Sequence, residues 1–400
     1  MVSATPARTQ RIRDRRDRLA DVAAELFRTA GYHGVGVNDI AAAAGITGPA
    51  LYRHFPSKLA LLSHVVTAGV EEMDGLLTRC VQLDGPTAAE KLATINRELA
   101  QLAVAERGAC SLWRWQGRHL PPEDRDAIRL RTRKLMTGWA DLLRVARPEL
   151  TQDQALLLCN AAMSIFGSVA DHRATPPKRR FTALLATMAD RVLAIPLSSE
   201  LGDVRARNEH EHRQVRDTEG KKEQLLVAAM RLFREQGFRE TSVEEIGQAV
   251  GLAPASVYRH FPSKADLLYA AGLRMADQLA ADALAASGEP DPAVELDRLL
   301  RSFVDKVLLN RDLTTVYNTE VSHLPAHQRA ELVRVQRLWV ARMMTLLRSI
   351  SELDEVDARV SVQAALSVVR DFIRTGRFSQ RPALAAELVL LTRTILGLSD

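Results

Sequence analysis

The 400-residue sequence contains little cysteine, and the cysteines it has are scattered. Cys80, Cys110 and Cys159 are odd in number, and none of them lies in a C-x-x-C pattern. A disulfide framework and thiolate metal sites are therefore not expected. We predict reduced thiols in a cytoplasmic protein.

A long hydrophobic run is also missing. No stretch of 18 or more consecutive apolar residues occurs, so no membrane-spanning helix is predicted. The opening residues, MVSATPARTQRIRDRR, carry charge without an apolar segment behind it, and we do not expect a secretory signal. The apolar share of 46% is still enough to fill folded cores, and 400 residues exceed one ordinary domain.

Catalytic motifs are absent as well. The sequence contains no Gly-rich phosphate loop, no H-E-x-x-H and no G-x-S-x-G. His210 and His212 lie only two residues apart in a polar stretch, where they do not share a helix face, and no further ligand is near. We predict that the protein is not an enzyme and uses neither a cofactor nor a metal.

The sequence does contain a repeat. The heptapeptide YRHFPSK occurs at 52–58 and again at 258–264, 206 positions later (258 − 52). Residues 19–62 align with residues 225–268 at this offset without a gap. A match this long exceeds a short shared motif.

The repeat continues more faintly towards the end of each copy. RHLPPEDR at 118–125 aligns with SHLPAHQR at 322–329, at an offset of 204. The repeat unit therefore has about 200 residues, and we predict two tandem copies of one complete module.

The hydrophobic pattern within each copy predicts helices. Apolar residues recur at spacings of three and four, and alternating β-branched runs are absent. In the second copy, Ser242 and Glu245 predict a capping box at the start of one helix. Gly251 then marks a sharp turn, and Pro254 fits the first turn of a short second helix. A helix, a turn with glycine and a short helix carrying Tyr, Arg and His form a helix-turn-helix pattern.

The charge differs between the copies. Residues 1–62 hold nine Lys/Arg and five Asp/Glu, a net charge of +4, whereas residues 219–268 hold seven of each, a net charge of zero. The excess lies in the segment Arg8–Arg18, which suits a nucleic-acid partner. A solvated, disordered tail is the alternative reading of this segment.

These stretches resemble the TetR family of transcriptional repressors. The matching segments are LADVAAELFRTAGYHGVGVNDIAAAAGITGPALYRHFPSKLALL and LLVAAMRLFREQGFRETSVEEIGQAVGLAPASVYRHFPSKADLL. The resemblance implies an all-α fold of two tandem TetR-like modules. Each module would join an N-terminal helix-turn-helix DNA-binding domain to a helical ligand-binding and dimerisation domain. Members of the family are usually homodimers, so we predict that the two modules of this chain form an intramolecular pseudo-dimer.

The domain boundaries follow from the two copies. We predict DNA-binding domains at 1–62 and 219–268, regulatory domains at 63–197 and 269–400, and a linker at 198–218. The helices expected to form the intramolecular bundle are 152–172, 179–195, 355–375 and 382–398, because each carries an apolar face.

The resemblance places the DNA contacts on and beside the short second helix. Tyr and His would donate to phosphates, the small residues that open the helix would approach bases, and Lys would lie near the backbone. Arg53 and Arg259 are either base or phosphate ligands or solvent-facing charges, and Phe55 and Phe261 are expected in the core. The candidate DNA-binding residues are Thr47, Gly48, Pro49, Ala50, Tyr52, Arg53, His54 and Lys58 in the first copy, and Ser242, Ala253, Ala255, Ser256, Tyr258, Arg259, His260 and Lys264 in the second.

Large apolar residues in the regulatory domains suggest a pocket for a small hydrophobic effector, and the HLP segments resemble those of lipid- or acyl-CoA-responsive members. The alternative is ordinary core packing. The candidate ligand-binding residues are Trp113, Trp115, Trp139, Trp339 and Met343.

We predict a ligand-controlled transcriptional regulator, most simply a repressor, whose partners are double-stranded operator DNA and a small effector. Two other readings stay open. One is an enzyme with an accessory DNA-binding head, and the other is an architectural or interaction protein in which only the first head binds DNA.

Overall fold

The computed structural model describes residues 6–107, 120–197, 220–374, 377–378 and 380–398. All regular structure in these ranges is helical, which confirms the predicted all-α class. The predicted linker lies outside the described residues, as do Trp113, Trp115 and Cys110. The chain divides into two compact units, Met1–Leu193 and Ala194–Asp400.

The first unit consists of eight described α-helices. They are α1 (Pro6–Gly34), α2 (Val37–Ala43), α3 (Gly48–Tyr52), α4 (Lys58–Val81), α5 (Ala88–Ala105), α6 (Pro122–Ala146), α7 (Gln152–Gly167) and α8 (Lys178–Leu193). The basic segment Arg8–Arg18 falls within α1, so its backbone is helical and does not form a disordered tail. Helix α1 is interrupted at Gly31, whose φ of 75° departs from helical geometry.

The second unit has the same order of described elements, with one further helix, α14. Its described α-helices are α9 (Lys221–Gln236), α10 (Val243–Ala249), α11 (Pro254–His260), α12 (Lys264–Ala286), α13 (Pro292–Leu309), α14 (Arg311–Glu320), α15 (Ala326–Ser349), α16 (Glu355–Arg374) and α17 (Leu384–Leu396). Helix α5 begins at Ala88 and α13 at Pro292, while α6 begins at Pro122 and α15 at Ala326, so both pairs are offset by 204. The repeat therefore extends over the regulatory helices, as the sequence predicts.

The helix pairs expected in the bundle form at the predicted places. In the first unit, α7 packs against α6 and α8, and all of residues 155–159 are buried. The described segment Gln152–Ala170 is long and apolar enough to cross a membrane, but 72% of its most apolar stretch is buried inside the structure. Burial at consecutive positions identifies it as a helix of the protein core.

An ion pair with a buried carboxylate and a half-exposed guanidinium connects two regulatory helices of the second unit. Glu295 on α13 has a side chain only 3% exposed. Arg342 on α15 donates to its two carboxylate oxygens at 2.8 and 2.6 Å. A guanidinium that binds both oxygens fixes the register of the two helices.

Candidate nucleic-acid interface

Each unit begins with a three-helix head whose core is continuous with that of the helices that follow. In the first head, Phe27 of α1, Ile40 of α2, Leu51 of α3 and Phe55 after it are each at most 1% exposed. The equivalent cluster in the second head contains Phe233, Ile246, Val257 and Phe261. The prediction that Phe55 and Phe261 are core residues is confirmed. These cores fix the short helices α3 and α11 against the rest of each head.

The turn between the two helices of the motif requires glycine in both heads. Gly45 has a φ of 67° and Gly251 a φ of 69°. This left-handed conformation is disfavoured for residues with a Cβ. The chain thus reverses in the same way before α3 and before α11, and the predicted turn at Gly251 is confirmed.

Polar caps set the starts of the motif's helices. The Ser242 N–H donates to Glu245 Oε2 at 2.7 Å, and the Glu245 N–H donates to Ser242 Oγ at 3.1 Å, as the sequence predicts. These hydrogen bonds lower the pKa of Glu245. The first head has Gly36 at the cap position, where its N–H donates to Asp39 Oδ2 at 2.7 Å. Because the Ser242 hydroxyl also donates to Glu245 at 2.9 Å, it is committed to the cap, and its phosphate contact stays a prediction.

The second helix of each motif presents matching polar side chains to solvent. Tyr52 is 53% exposed and Tyr258 is 48% exposed, although tyrosine usually buries much of its ring. Arg53 and Arg259 beside them are exposed as well. An aromatic hydroxyl next to a guanidinium supplies donors of the kind that phosphate oxygens accept.

The residues that open these helices differ between the heads. Thr47 caps α3, with its hydroxyl accepting from the Ala50 N–H at 3.4 Å. The second head lacks a side-chain cap at Ala253, and Ser256 instead accepts from Arg259 Nη2 at 2.8 Å. The remaining small candidates are half-buried (Gly48, Ala50) or exposed (Pro49, Ala255). The two helices therefore present different chemistry at equivalent positions.

In the first head, positively charged side chains lie around α3, the second helix of the motif. Burial lowers the pKa of His54, and Arg15, Arg16 and Arg53 lower it further. Arg16 also lies over the ring of Phe55, with its Cζ 4.8 Å from the centroid. Three guanidinium groups near one imidazole create a site that attracts an anion. His260, the equivalent residue of the second head, is exposed.

The two lysines that were expected near DNA have partners within the protein. Lys58 Nζ donates to the carbonyls of Tyr32 at 2.8 Å and Val35 at 2.9 Å. Burial lowers the pKa of this lysine. Lys264 Nζ donates to three carbonyls, which uses all the donors of an ammonium group. Both lysines link the turn before the helix-turn-helix motif to the fourth helix of their unit, α4 or α12. Their role in DNA contact stays a prediction.

The regulatory part of the second unit contains a cavity of about 120 Å³. Trp339 lines it, whereas Met343, one turn further along α15, is fully buried and does not belong to its wall. In the first unit Trp139 is 1% exposed and is a core residue. Sequence reasoning missed most of the cavity's wall, which consists of Gly272, Met275, Ala276, Leu279, Phe303, Val307, Leu313, Thr314, Tyr317, Leu332, Val335, Gln336, Val340, Leu366 and Arg370.

Comparison with known proteins agrees with the geometry of the heads. The family model for bacterial regulatory proteins of the tetR family matches residues 19–65 and 225–271. The HTH-type transcriptional repressor KstR2 of Rhodococcus jostii (strain RHA1) is 29% identical over 159 residues, which are 38% of this chain and 76% of the relative. The HTH-type transcriptional activator FasR of Mycolicibacterium smegmatis (strain ATCC 700084 / mc(2)155) is 35% identical over 91 residues, 23% of this chain and 37% of the relative.

Among solved structures, the TetR-family transcriptional regulator PfmR from Thermus thermophilus is 26% identical, with a TM-score of 0.39 over 44% of this chain and 97% of that one. The curated relatives are regulators of transcription, which removes the reading of an enzyme with an accessory head. With two matches to the family's DNA-binding domain and two helix-turn-helix heads of the same construction, the chain contains two DNA-binding domains of the TetR family in tandem modules.

Proposed function

We propose that both heads of one chain bind one operator, and that the chain is a repressor released from DNA when a small apolar effector fills the cavity of the second unit. The observation that carries the proposal is the matched pair of heads, each with an exposed Tyr-Arg pair on its second helix. Repression, as opposed to activation, is supported by the transcriptional repressor KstR2, which this chain matches over 76% of the relative's length.

Two-headed binding needs recognition helices about 34 Å apart, the length of one turn of DNA. We infer that the pairs α7–α8 and α16–α17 pack together as an intramolecular bundle and set this spacing. This inference is supported by α7 and α16, where apolar residues at consecutive positions require partners on more than one side. Because the modules are covalently linked, little association entropy would be lost when they pair.

Release by an effector is supported by the position of α14. Leu313, Thr314 and Tyr317 of this helix line the cavity. Asp312 on the same helix accepts from Arg234 Nε of α9, in the second head, at 2.7 Å. A ligand that displaces α14 would therefore move a helix on which the second head is assembled.

The segment after α14 makes a second contact with that head. The ring of His323 stacks on Phe238 with centroids 5.0 Å apart and planes 5° apart. The carbonyl of Phe238 is one of the acceptors of Lys264. The HLP segment of the second copy therefore lies against the turn that precedes the helix-turn-helix.

The test is footprinting on the DNA upstream of the protein's own gene, combined with the salt dependence of binding. Two variants each disable one head: Tyr52→Ala with Arg53→Ala, and Tyr258→Ala with Arg259→Ala. We expect each variant to lose one half of the footprint and part of the salt dependence, because each phosphate contact contributes about −0.9 to the slope of log K against log salt. Loss of the whole footprint from both variants, with a mass showing two chains on each operator, would refute binding by a single chain.

A second candidate function is favoured by the charges of the heads. The second head has a net charge of zero over residues 219–268, against +4 for the first head over residues 1–62. In this alternative only the first head binds DNA and the second head serves an architectural or interaction role. The Tyr258→Ala, Arg259→Ala variant would then keep the full footprint and the full salt dependence.

A further inference from the structure

The cavity of the second unit combines apolar walls with two groups that can only donate hydrogen bonds, beside three side chains that can also accept them, Thr314, Tyr317 and Gln336. Leu279, Phe303 and Leu366 are among the residues that form its apolar surface. Arg370 and Trp339 also line it. Guanidinium and indole N–H groups have no acceptor capacity, so a ligand that satisfies them has to bring acceptor atoms.

Arg370 gives the cavity a permanent positive charge. Its guanidinium donates to Ser367 Oγ, one turn earlier on α16, at 3.1 Å. Arginine does not lose its proton in proteins, and no Asp or Glu is among the residues that line the cavity. Burial raises the pKa of Tyr317, and the charge of Arg370 opposes this rise. The Tyr317 hydroxyl is therefore protonated at neutral pH and lies within the field of Arg370.

Trp339 supplies a second, independent observation. Its Nε1 is buried and has no acceptor among the described residues. The ring itself packs against Phe303, with centroids 5.3 Å apart. A buried donor without a partner costs free energy, which an acceptor on a ligand would recover.

The volume limits the size of the ligand. The cavity measures about 120 Å³. For comparison, an apolar cavity of about 150 Å³ accommodates benzene. One aromatic ring or a short branched chain fills this space, and a long acyl chain would have to extend beyond it towards solvent.

We propose that this cavity binds a small apolar carboxylate, of the size of a monocyclic aromatic or short branched-chain acid, with the carboxylate on Arg370 and the Trp339 N–H. This rests on the proposed effector role of the cavity and adds the charge and the size of the ligand. The apolar part of the acid lies against Leu279, Phe303 and Leu366.

The test is isothermal titration of the full chain with three probes: benzoate, its neutral isostere benzamide, and dodecanoate. We expect benzoate to bind about tenfold or more tightly than either of the other two. The Arg370→Gln variant should lose about tenfold in benzoate affinity and leave benzamide affinity unchanged. Arg359→Gln, on the same helix and outside the cavity wall, is the matched control and should bind benzoate like the parent chain.

Three results would overturn the proposal. They are equal binding of benzoate and benzamide, tighter binding of dodecanoate than of benzoate, and no benzoate binding at concentrations up to about 5 mM. An Arg370→Lys variant guards against misfolding of the glutamine variant, because it keeps the charge and should retain a preference for benzoate over benzamide.

A separate operator-binding assay distinguishes this proposal from the proposed function. Benzoate that binds as expected without weakening operator binding would refute effector release and leave the acid site standing. A neutral or long-chain probe that releases the operator while benzoate fails to bind would refute the acid site and leave effector release standing.

Discussion

Replacing Lys264 with methionine should loosen the second head even without DNA. The ammonium group donates to the carbonyls of Phe238 at 2.7 Å, Arg239 at 3.1 Å and Thr241 at 2.6 Å. Methionine keeps most of the length of the side chain and removes all three donors. The substitution therefore removes the hydrogen bonds by which this side chain links the turn between α9 and α10 to the start of α12.

The size of the effect follows from these bonds. Hydrogen bonds to a charged donor contribute about 1.5–3 kcal/mol each when they are protected from water. The bonds to Phe238 and Thr241 are partly buried, and the bond to Arg239 is exposed. Taking the lower limit for the first two and little for the third gives a loss of about 3 kcal/mol in the local free energy of unfolding.

Amide hydrogen exchange is the suitable assay. All four tryptophans of the sequence lie outside the two heads, so tryptophan fluorescence does not report on their unfolding. Exchange measured by mass spectrometry on peptides from 225–262 reports local opening directly, and about 3 kcal/mol corresponds to exchange more than a hundredfold faster.

Lys222→Met is the matched control. Lys222 is an exposed lysine of the same head, with its Nζ 5.5 Å from the centroid of the Phe261 ring. It should change exchange little, because an exposed cation–π contact contributes about 0.5–1 kcal/mol. Unchanged exchange in Lys264→Met, together with weaker DNA binding and a salt slope smaller by about one, would refute the clamp and favour a phosphate contact.

Three further predictions concern other parts of the chain. The pKa of His54 is lower in the folded head than the usual 6.5, so the unfolded chain binds more protons between these two pKa values. The first head should therefore lose stability as pH falls below 6.5. His54→Gln should reduce this loss, as measured by hydrogen exchange at about pH 7.5 and about pH 5.5. Gly247→Ala should destabilise the second head by about 1–3 kcal/mol, since its Cβ would lie 2.7 Å from the Leu252 carbonyl oxygen, and protection of the second head equal to that of the parent chain would contradict this. Arg342→Met should cost about 1–3 kcal/mol in thermal unfolding, because it leaves the buried Glu295 carboxylate without its half-exposed guanidinium partner. Adding Glu295→Gln should recover part of the loss, and equal stability of the single and double variants would argue against the pair.

The sequence predicts those parts of the fold that depend on local chemistry. Gly251 marks the left-handed turn, Ser242 and Glu245 form the capping box, and Pro254 lies at the start of α11. Each of these assignments needs only a residue's own backbone preference or its neighbours within one helical turn. The repeat adds evidence, because Gly45 stands in the same conformation 206 residues earlier.

Features that join distant parts of the chain could not be predicted in this way. Lys264 fits the pattern of a phosphate ligand in sequence, and its acceptors 23 to 26 residues away become visible only after folding. Arg370 and Tyr317 meet at one cavity from helices far apart in sequence. Met343 and Trp339 look equally suited to a ligand pocket, yet only Trp339 lines the cavity, and Met343, one turn further along α15, is fully buried.

The residues that begin α3 and α11 differ, and this difference has a consequence for the orientation of the protein on DNA. A homodimer is the same viewed from either end, so it does not distinguish left from right along the duplex. A single chain with Thr47 leading one head and Ala253 leading the other has a polarity. If both heads bind one operator as proposed, the chain lies on an asymmetric site in one orientation only, and the unit that contains the cavity always faces the same flank.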